Sequence, residues 1–536
     1  MVVSSDSAEE FDFVVVGAGS AGCALAARLA EQSGVTVCVL EAGEEQWPQI
    51  SAVPAAVLHT VGNPRFDWRF SSEPDPTRHD IIESWPRGLG PGGSSLINGM
   101  IFVRGAAADF DAWEALGADG WGYKSVLPFF RRMEQSEFDQ DQARGAHGPQ
   151  SVRTIRWRPK IADDFVRAAV ESGIPYNPDY NSTIQDGVGY VQAIQRNGRR
   201  HSAFDAFLKP ALSKRNIALK TGCKVLRLTG RGAAIDGVEY LRHNTPTKVR
   251  ARRLVILCAG AIGSPHLLML SGIGPADQLA GAGVPLIADV PAVGQNLMEH
   301  ATVWIQAEVN RPTLNQELSL GRKALALIKW LGGKGPATTA VAQAVAFART
   351  RPESLSPDVQ IHFCAMGTSL GPKGLAMPDT PLISIGVTAN HPESRGEIRL
   401  RGRDPHQAPL ILPRLLDAPE DIETLKQGLG VVDGIFNAPS MKKQLVRIVN
   451  PPPSPLHAEQ LETFIRSQAG PAYHPVGTCR MGRGPDAVVD PELRVRGVRG
   501  LAVADASIMP RHVSGNTYAA AVMIGEKAAD IIKARL

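Results

Sequence analysis

Three groups of residues in this chain have types and spacings suited to chemistry. Gly17-Ala18-Gly19-Ser20-Ala21-Gly22 follows an apolar, β-branched run, Phe11 to Val16, and precedes a helix-forming stretch from Cys23 to Gln32. In such a pattern the first glycine makes a tight turn, the second lets a pyrophosphate approach the backbone, and the third lets the helix pack closely on its strand. The helix start then turns its free amides toward phosphate. Glu41 closes a second apolar strand, Val35 to Leu40, 19 residues after Gly22. A carboxylate there can accept both hydroxyl hydrogens of an adenosine ribose and would repel a 2'-phosphate. Strand, glycine turn, helix and acid in this order predict dinucleotide binding, without separating NAD from FAD. His474 is the second group. Imidazole titrates near neutrality and so can take a proton, and Pro475 after it disfavours helical backbone and predicts a loop. Taken alone, it reads first as a structural histidine hydrogen-bonded in a loop. Asn516 is the third: its amide can hold an oxygen that gains negative charge, or cap the helix that follows.

These groups need elements to position them. Val249 to Arg252 and Leu254 to Leu257 read as strands, the second running into Cys258-Ala259-Gly260-Ala261 and a helix from Ser264 to Leu270. Leu501 to Ala504 reads as another strand, ending in Asp505. Both place small or acidic groups at the carboxyl edge of a sheet, the ligand side of an open α/β domain. Thr517 to Ala534 carries Tyr518, Val522, Gly525, Ala529 and Ile532 along one face, with Lys533 and Arg535 at its cationic end, and predicts a final helix. The expected fold class is therefore α/β, a Rossmann-like nucleotide domain assembled from residues 1–155, 224–315 and 463–536. Residues 156–223 and 316–462, with strand patterns at Leu382 to Thr388 and Glu397 to Leu400, are expected to form a second, α+β substrate domain on an antiparallel sheet.

Composition narrows the alternatives. A chain of 536 residues with 43% apolar residues and a net charge of +4 is long enough for two to four domains with substantial cores. A small disulfide scaffold is excluded, and 53 glycines with 40 prolines predict many turns. The cation excess is scattered, without a basic tract, which argues against nucleic acid. Six cysteines stand singly among apolar or small residues and read as buried thiols. The 13 histidines include no His-Glu-x-x-His, and Glu299-His300 alone is too few ligands, so no metal is assigned. Met1 to Glu10 is short and acidic and does not read as a signal peptide. The most apolar helical stretches, Ala324 to Leu331 and Ala340 to Ala348, are broken by Lys329 and Gln343 and fall short of the ~18 residues of a membrane span. A cytoplasmic protein with no integral membrane segment is expected.

Five segments together resemble the glucose-methanol-choline (GMC) oxidoreductase family, and the likeness runs over nearly the whole chain. They are the 17–22 glycine turn; Gly92-Gly93-Ser94-Ser95-Leu96-Ile97-Asn98-Gly99; Gly260-Ala261-Ile262-Gly263-Ser264-Pro265 through Ser271-Gly272-Ile273-Gly274; His474-Pro475-Val476-Gly477-Thr478; and Gly515-Asn516-Thr517 with Glu526-Lys527-Ala528-Ala529-Asp530. Arg199-Arg200-His201-Ser202 and Pro175-Tyr176-Asn177-Pro178-Asp179 make it similar to the choline dehydrogenase-like and sorbose dehydrogenase-like members. The resemblance implies FAD, and oxidation of an alcohol, preferably a primary one giving an aldehyde, with hydride passing to flavin N5. It gives His474 the role of base and Asn516 that of holding the alcohol oxygen. It places Gly17, Gly19, Ser20, Ala21, Gly22, Glu41, Ala42, Gly92, Gly93, Ser94, Asn98, Gly99, Met100, Val225, Ala259, Gly260, Asp505, Ala506 and Thr517 along the cofactor.

The departures are informative. Gly88-Leu89-Gly90-Pro91-Gly92-Gly93 replaces the basic and leucine positions of the family's Gly-Lys-x-Leu-Gly-Gly. Ile97 stands where members with covalently attached FAD carry histidine, so noncovalent FAD is expected. Tyr518 and Ala520 replace a common Asn and Pro of choline dehydrogenase-like sequences, which weakens choline as the substrate. The electron acceptor, oxygen or a quinone or other carrier, stays open, as does the oligomeric state. A lyase of the hydroxynitrile lyase type, with FAD kept structurally, and an NAD-dependent dehydrogenase are the alternative readings.

Overall fold

The structure is a computed structural model that describes residues 9–44, 50–138, 142–242, 245–319, 321–371, 374–450 and 458–536. The first eight residues of the acidic N-terminal stretch lie outside the described residues.

The strand Glu9–Val16 forms because its aromatic and β-branched end, Phe13 to Val16, is buried on both faces of a sheet. It pairs in parallel with Val37–Leu40 on one side and with Thr245–Leu257 on the other. Ile217–Lys220 extends the sheet beyond Val37–Leu40, and Leu501–Val503 adds a parallel strand against Val255–Leu257. The parallel core is thus gathered from segments hundreds of residues apart, as the sequence predicts. Thr245–Leu257 is one long strand rather than two. Its register against Glu9–Val16 shifts between Phe11 and Phe13, and its first half turns to pair antiparallel with Ala234–Arg242, which in turn pairs with Cys223–Arg231.

The second sheet is antiparallel, in the order Leu445–Ile448, Ala301–Val309, Leu382–Ala389, Val359–Cys364, Ala344–Ala348, Gly187–Tyr190, with Ala469–Pro471 also on Ala301–Val309. The helix Pro419–Asn437 covers one face, packed so closely that Gly428 lies against Val387. Membership departs from the expected boundaries in three places. Ile217–Lys220, within 156–223, belongs to the nucleotide sheet, because the edge of Val37–Leu40 is free for it. Ala301–Val309, within 224–315, is a central strand of the antiparallel sheet. Glu397–Arg399 pairs only with Leu410–Leu412 as a separate ribbon. Ala340 to Ala348 is no helix either: Ala344–Ala348 is a strand paired on both edges, and its small and branched side chains fill the core.

The final helix, Tyr518–Lys533, lies on the helix Ser20–Leu29, with Gly525 against the carbonyl of Ala21. Beside that contact the buried Glu526 carboxylate accepts from Arg28 Nε (3.0 Å) and Arg132 Nε (2.6 Å), and Arg132 also reaches Asp530. The 526–530 motif therefore fastens the last helix to the glycine-turn helix. All six cysteines are buried and unbridged.

Candidate active site

The glycine-rich segments come together at the carboxyl edge of the parallel sheet. Gly17 adopts φ +101°, and a side chain there would meet Cys258 O at 2.5 Å, while one at Gly22 would collide with Gly17 O. A Cβ at Gly19, by contrast, would find only Cys258 O, at 3.8 Å. The turn is thus closed on its protein side and open at its centre, where phosphate would bind. Ser20 and Ala21 begin the helix. The second glycine segment is stitched to the first: Gly92 N–H donates to Ala18 O (2.7 Å), and Gly93, at φ +53°, leaves 2.7 Å between the place of a Cβ and Gly19 Cα.

Glu41 joins the two. Its Oε2 accepts from Ala18 N–H (2.9 Å), and its Oε1 from Gly43 and Gly90 N–H (3.0 Å each). Burial raises its pKa, and these backbone donors oppose the shift. Ribose hydroxyls would meet only the remaining lone pairs, so the carboxylate organises the loops as much as it waits for a ligand. Ala42 follows it, half-buried, and Val225 sits half-buried on the strand whose Cys223 N–H donates to Glu41 O. Ser94 Oγ accepts from Gly88 N–H, and Asn98 Oδ1 accepts from Met100 N–H (3.1 Å) and from the buried Arg200 guanidinium (2.7 Å). Gly99 faces Val341, and Met100 is buried at φ +63°.

Asp505 is differently engaged than expected. Its Oδ2 accepts from Gly260 N–H (2.9 Å) and Ser264 Oγ (2.6 Å), and its Oδ1 from Ser507 N–H (2.8 Å). The side chain therefore ties the start of the helix Gly260–Leu270 to its own loop. Ala259 precedes that helix, and at Gly260 (φ +81°) no atom lies within 4 Å of a Cβ. Ala506 O accepts from Gly477 N–H, linking this edge to the loop of His474. Thr517, not Asn516, is the residue before the final helix, and no side chain caps it. The open spaces at Gly19 and Gly260, the first beside the uncapped start of the helix Ser20–Leu29, fit a dinucleotide such as FAD.

His474 and Asn516 converge. Asn516 Nδ2 lies 3.0 Å from His474 Nε2, and Asn516 Oδ1 accepts from Gln360 Nε2 at 3.1 Å, which orients the amide. The backbone of His474 is held at every polar atom around it. Arg87 donates to Tyr473 O (2.6 Å), Glu299 Oε1 accepts from His474 N–H (2.7 Å), and His512 Nε2 donates to His474 O (2.9 Å). Tyr473 is kept at φ +66° by these clamps, a strained state that persists where surroundings over-determine it and that clusters at active sites.

The hydrogen bonds also fix the tautomer. Asn390 O can only accept, so His300 Nε2, 2.9 Å away, carries hydrogen. Burial holds His300 neutral, with its pKa pushed well below the ordinary value, so its Nδ1 is bare and accepts from His474 Nδ1–H at 3.1 Å. That leaves His474 Nε2 with its lone pair toward Asn516. Burial, joined by nearby His512, His362 and Arg87, lowers the His474 pKa well below the ordinary imidazole value as well. His512, stacked on His300 with centroids 3.5 Å apart, is pushed down to about 4 by burial. Glu299 moves the other way, up to about 8, again chiefly through burial.

Sequence reasoning brought out His474 and Asn516 but missed the residues that hold them: Arg87, Glu299, His300, Gln360 and His512, and, on the cofactor side, Arg200. Glu299-His300 stood out only as a sparse metal pair. Its use comes from folding, which sets the end of one strand across from a loop 174 residues later.

Models of the GMC oxidoreductase family match residues 11–302 and 392–525. The oxygen-dependent choline dehydrogenase of Brucella suis is 40% identical over 531 residues, covering 98% of this chain and 96% of its own. An alcohol dehydrogenase [acceptor] of Pseudomonas putida is 37% identical over 97% of this chain and 95% of its own. Among solved structures, a formate oxidase of Aspergillus oryzae, studied for its FAD modification, superposes with a TM-score of 0.90 at 27% identity, over 99% of each chain.

Proposed function

The chain belongs to the GMC oxidoreductase family and is an FAD-dependent alcohol oxidoreductase, and we propose that His474 is its base and Asn516 its oxygen-binding group. The observation that carries this reading is the bare His474 Nε2, 3.0 Å from the Asn516 amide. An arriving hydroxyl exchanges that bond for two: its hydrogen goes to Nε2, and its oxygen accepts from Asn516 Nδ2–H. As the proton moves onto Nε2, the amide steadies the alkoxide, and Gln360 keeps it from flipping. FAD, when bound, supplies the acceptor for the hydride that leaves the carbinol carbon. The low pKa of His474 keeps the base unprotonated across the neutral range, and the clamps from Arg87, Glu299 and His512 fix its aim, which is where positioning contributes to rate.

Gly17, Gly19, Ser20, Gly22, Gly92, Gly93, Gly260 and the start of the final helix at Thr517 would hold the pyrophosphate and the ring, with Glu41 and Val225 on the adenosine side. The substrate in this reading is a primary alcohol, the product an aldehyde. FAD is held noncovalently, because the side chain before Asn98 is Ile97 and cannot form the bond a histidine would; acid denaturation should release the yellow cofactor to the supernatant, and colour left in the pellet would contradict this. Unbridged buried cysteines suit a reducing, cytoplasmic compartment. The deciding experiment is an anaerobic panel of alcohols followed by air. Bleaching by a primary alcohol supports the reading, and rapid recolouring marks oxygen as the acceptor. A flavin that no alcohol bleaches would point to the lyase alternative.

A further inference from the structure

The helix Lys323–Leu331 is amphipathic in the wrong sense for a protein surface. It buries Ala326 and Trp330 and turns Leu325, Leu327, Ile328 and Leu331 outward, each half-exposed or more. At about 100° per residue, these four and Ala324 form one continuous outer arc, opposite the buried pair, and Lys323 and Lys329 fall at its two borders. No acidic residue occurs from Leu318 to Pro352, while Arg322, Lys323, Lys329 and Lys334 do. Arg322 reaches Glu317 at 3.9 Å, but among the described residues the three lysines have no carboxylate partner.

The surface continues beyond the helix. Val53 and Ala55 pack on the small cluster of Ala326, Trp330 and Ala337, and the same segment exposes Leu58 and Val61. Large aliphatic side chains on an outer helical face, bordered by cations whose stems can reach past them, match an interfacial helix: the apolar groups enter the headgroup and acyl boundary, and the ammonium groups stay at phosphate level. At nine residues the helix cannot span a bilayer, and among the described residues no helix is long and apolar enough to do so. Its buried side is close to the cofactor region. Trp330 Nε1 donates to Gly198 O (3.0 Å), Arg199 stacks on Trp330 at 4.4 Å, and the adjacent Arg200 donates to Asn98.

We propose that this face, centred on Ile328 and Leu331, docks the enzyme onto the surface of an anionic lipid bilayer. The charge pattern chooses the occupant: uncompensated lysines on both borders of the apolar arc would repel one another in a symmetric contact between two copies, whereas lipid phosphates neutralise them.

The test is sedimentation of the purified holoenzyme with phosphatidylcholine vesicles, with and without phosphatidylglycerol, alongside light scattering without lipid. Binding is expected to the phosphatidylglycerol vesicles and to weaken with salt. I328E/L331E should abolish it. K323E/K329E should lower the partition coefficient by about 25-fold or more, at about fivefold per lysine lost before the added repulsion. Both variants should keep wild-type turnover on a soluble alcohol with a soluble acceptor, which shows that they fold. Failure of the wild type to bind anionic vesicles, or equal binding by I328E/L331E, would overturn the proposal. So would a dimer that I328E/L331E converts to monomer without any lipid binding, since the face would then belong to a second copy.

Discussion

His300 touches neither the expected substrate position nor the cofactor cradle, yet the hydrogen-bond chain makes it decide which nitrogen of His474 is free. His300→Leu removes the acceptor for His474 Nδ1–H in a place that is fully buried, where no water can substitute. An orphaned buried donor costs about 1–3 kcal/mol. The cheapest escape is for His474 to move its hydrogen to Nε2, which disables the base. If the whole cost falls on the reactive tautomer, flavin reduction slows about 5- to 150-fold, at about 1.4 kcal/mol per factor of ten. His300→Asn keeps an acceptor near the Nδ1 position and should stay within about threefold of wild type on the same scale. The assay is anaerobic stopped-flow bleaching of the FAD-loaded enzyme across alcohol concentrations, with the limiting rate expected to fall and the half-saturating concentration to move far less. A His300→Leu enzyme that loads FAD and reduces at the wild-type rate would refute the tautomer argument. Equal damage in the Leu and Asn variants would also refute it, because the role would then lie in the stack on His512.

Other outcomes follow from the same geometry. His474→Ala should slow flavin reduction on the order of a hundredfold or more in the same stopped-flow experiment, with FAD content unchanged. Because the His474 pKa lies well below the ordinary value, the base stays unprotonated as pH falls, and the reductive rate should show no loss around pH 6.5, the reference histidine value. Glu299 titrates near 8: rising pH through that value places a negative charge beside His474, favours its protonated form and so strengthens the base. The rate should therefore rise between about pH 7 and 9, and Glu299→Gln, which keeps the acceptor for His474 N–H, should flatten that rise in a pH–rate profile. Gly22→Ala, whose Cβ would collide with Gly17 O, should lower the FAD-to-protein absorbance ratio of the purified enzyme severely, while Ser33→Ala, in the turn beyond the same helix, should leave it unchanged.

The cradle was legible in the sequence because its logic is local. A strand, a turn that needs glycine and a helix start lie within 30 residues, and each has a steric or electrostatic cause. The family motifs likewise located His474 and Asn516. What holds those two is not local. Arg87, the Glu299-His300 pair, Gln360 and His512 lie on four separate segments, and no periodicity or spacing announces that a carbonyl at 390 will fix the hydrogen on His300 and so the lone pair on His474. Sheet membership failed for a related reason. Ile217–Lys220 and Ala301–Val309 carry no local signal of which sheet they join, and only the strands they meet in the fold, Val37–Leu40 for one and Leu382–Ala389 for the other, assign them. Ala340 to Ala348 misled because its period of two, alanine alternating with larger residues, is apolar on both faces apart from Gln343 and so lacks the apolar-polar contrast that marks a strand, and length alone does not separate a buried strand from a helix.

The threading of the parallel sheet also bears on biosynthesis. Leu501–Val503, Asn516 and the helix that Glu526 fastens to Arg28 all follow late in the sequence on the strand and turn they complete, with Glu526 lying 498 residues after Arg28. A nascent chain therefore carries Val255–Leu257 without its outer neighbour until Leu501–Val503 is made, about 250 residues later. A product that stops short of Leu501 is therefore a target for chaperones and proteases rather than a partly active enzyme.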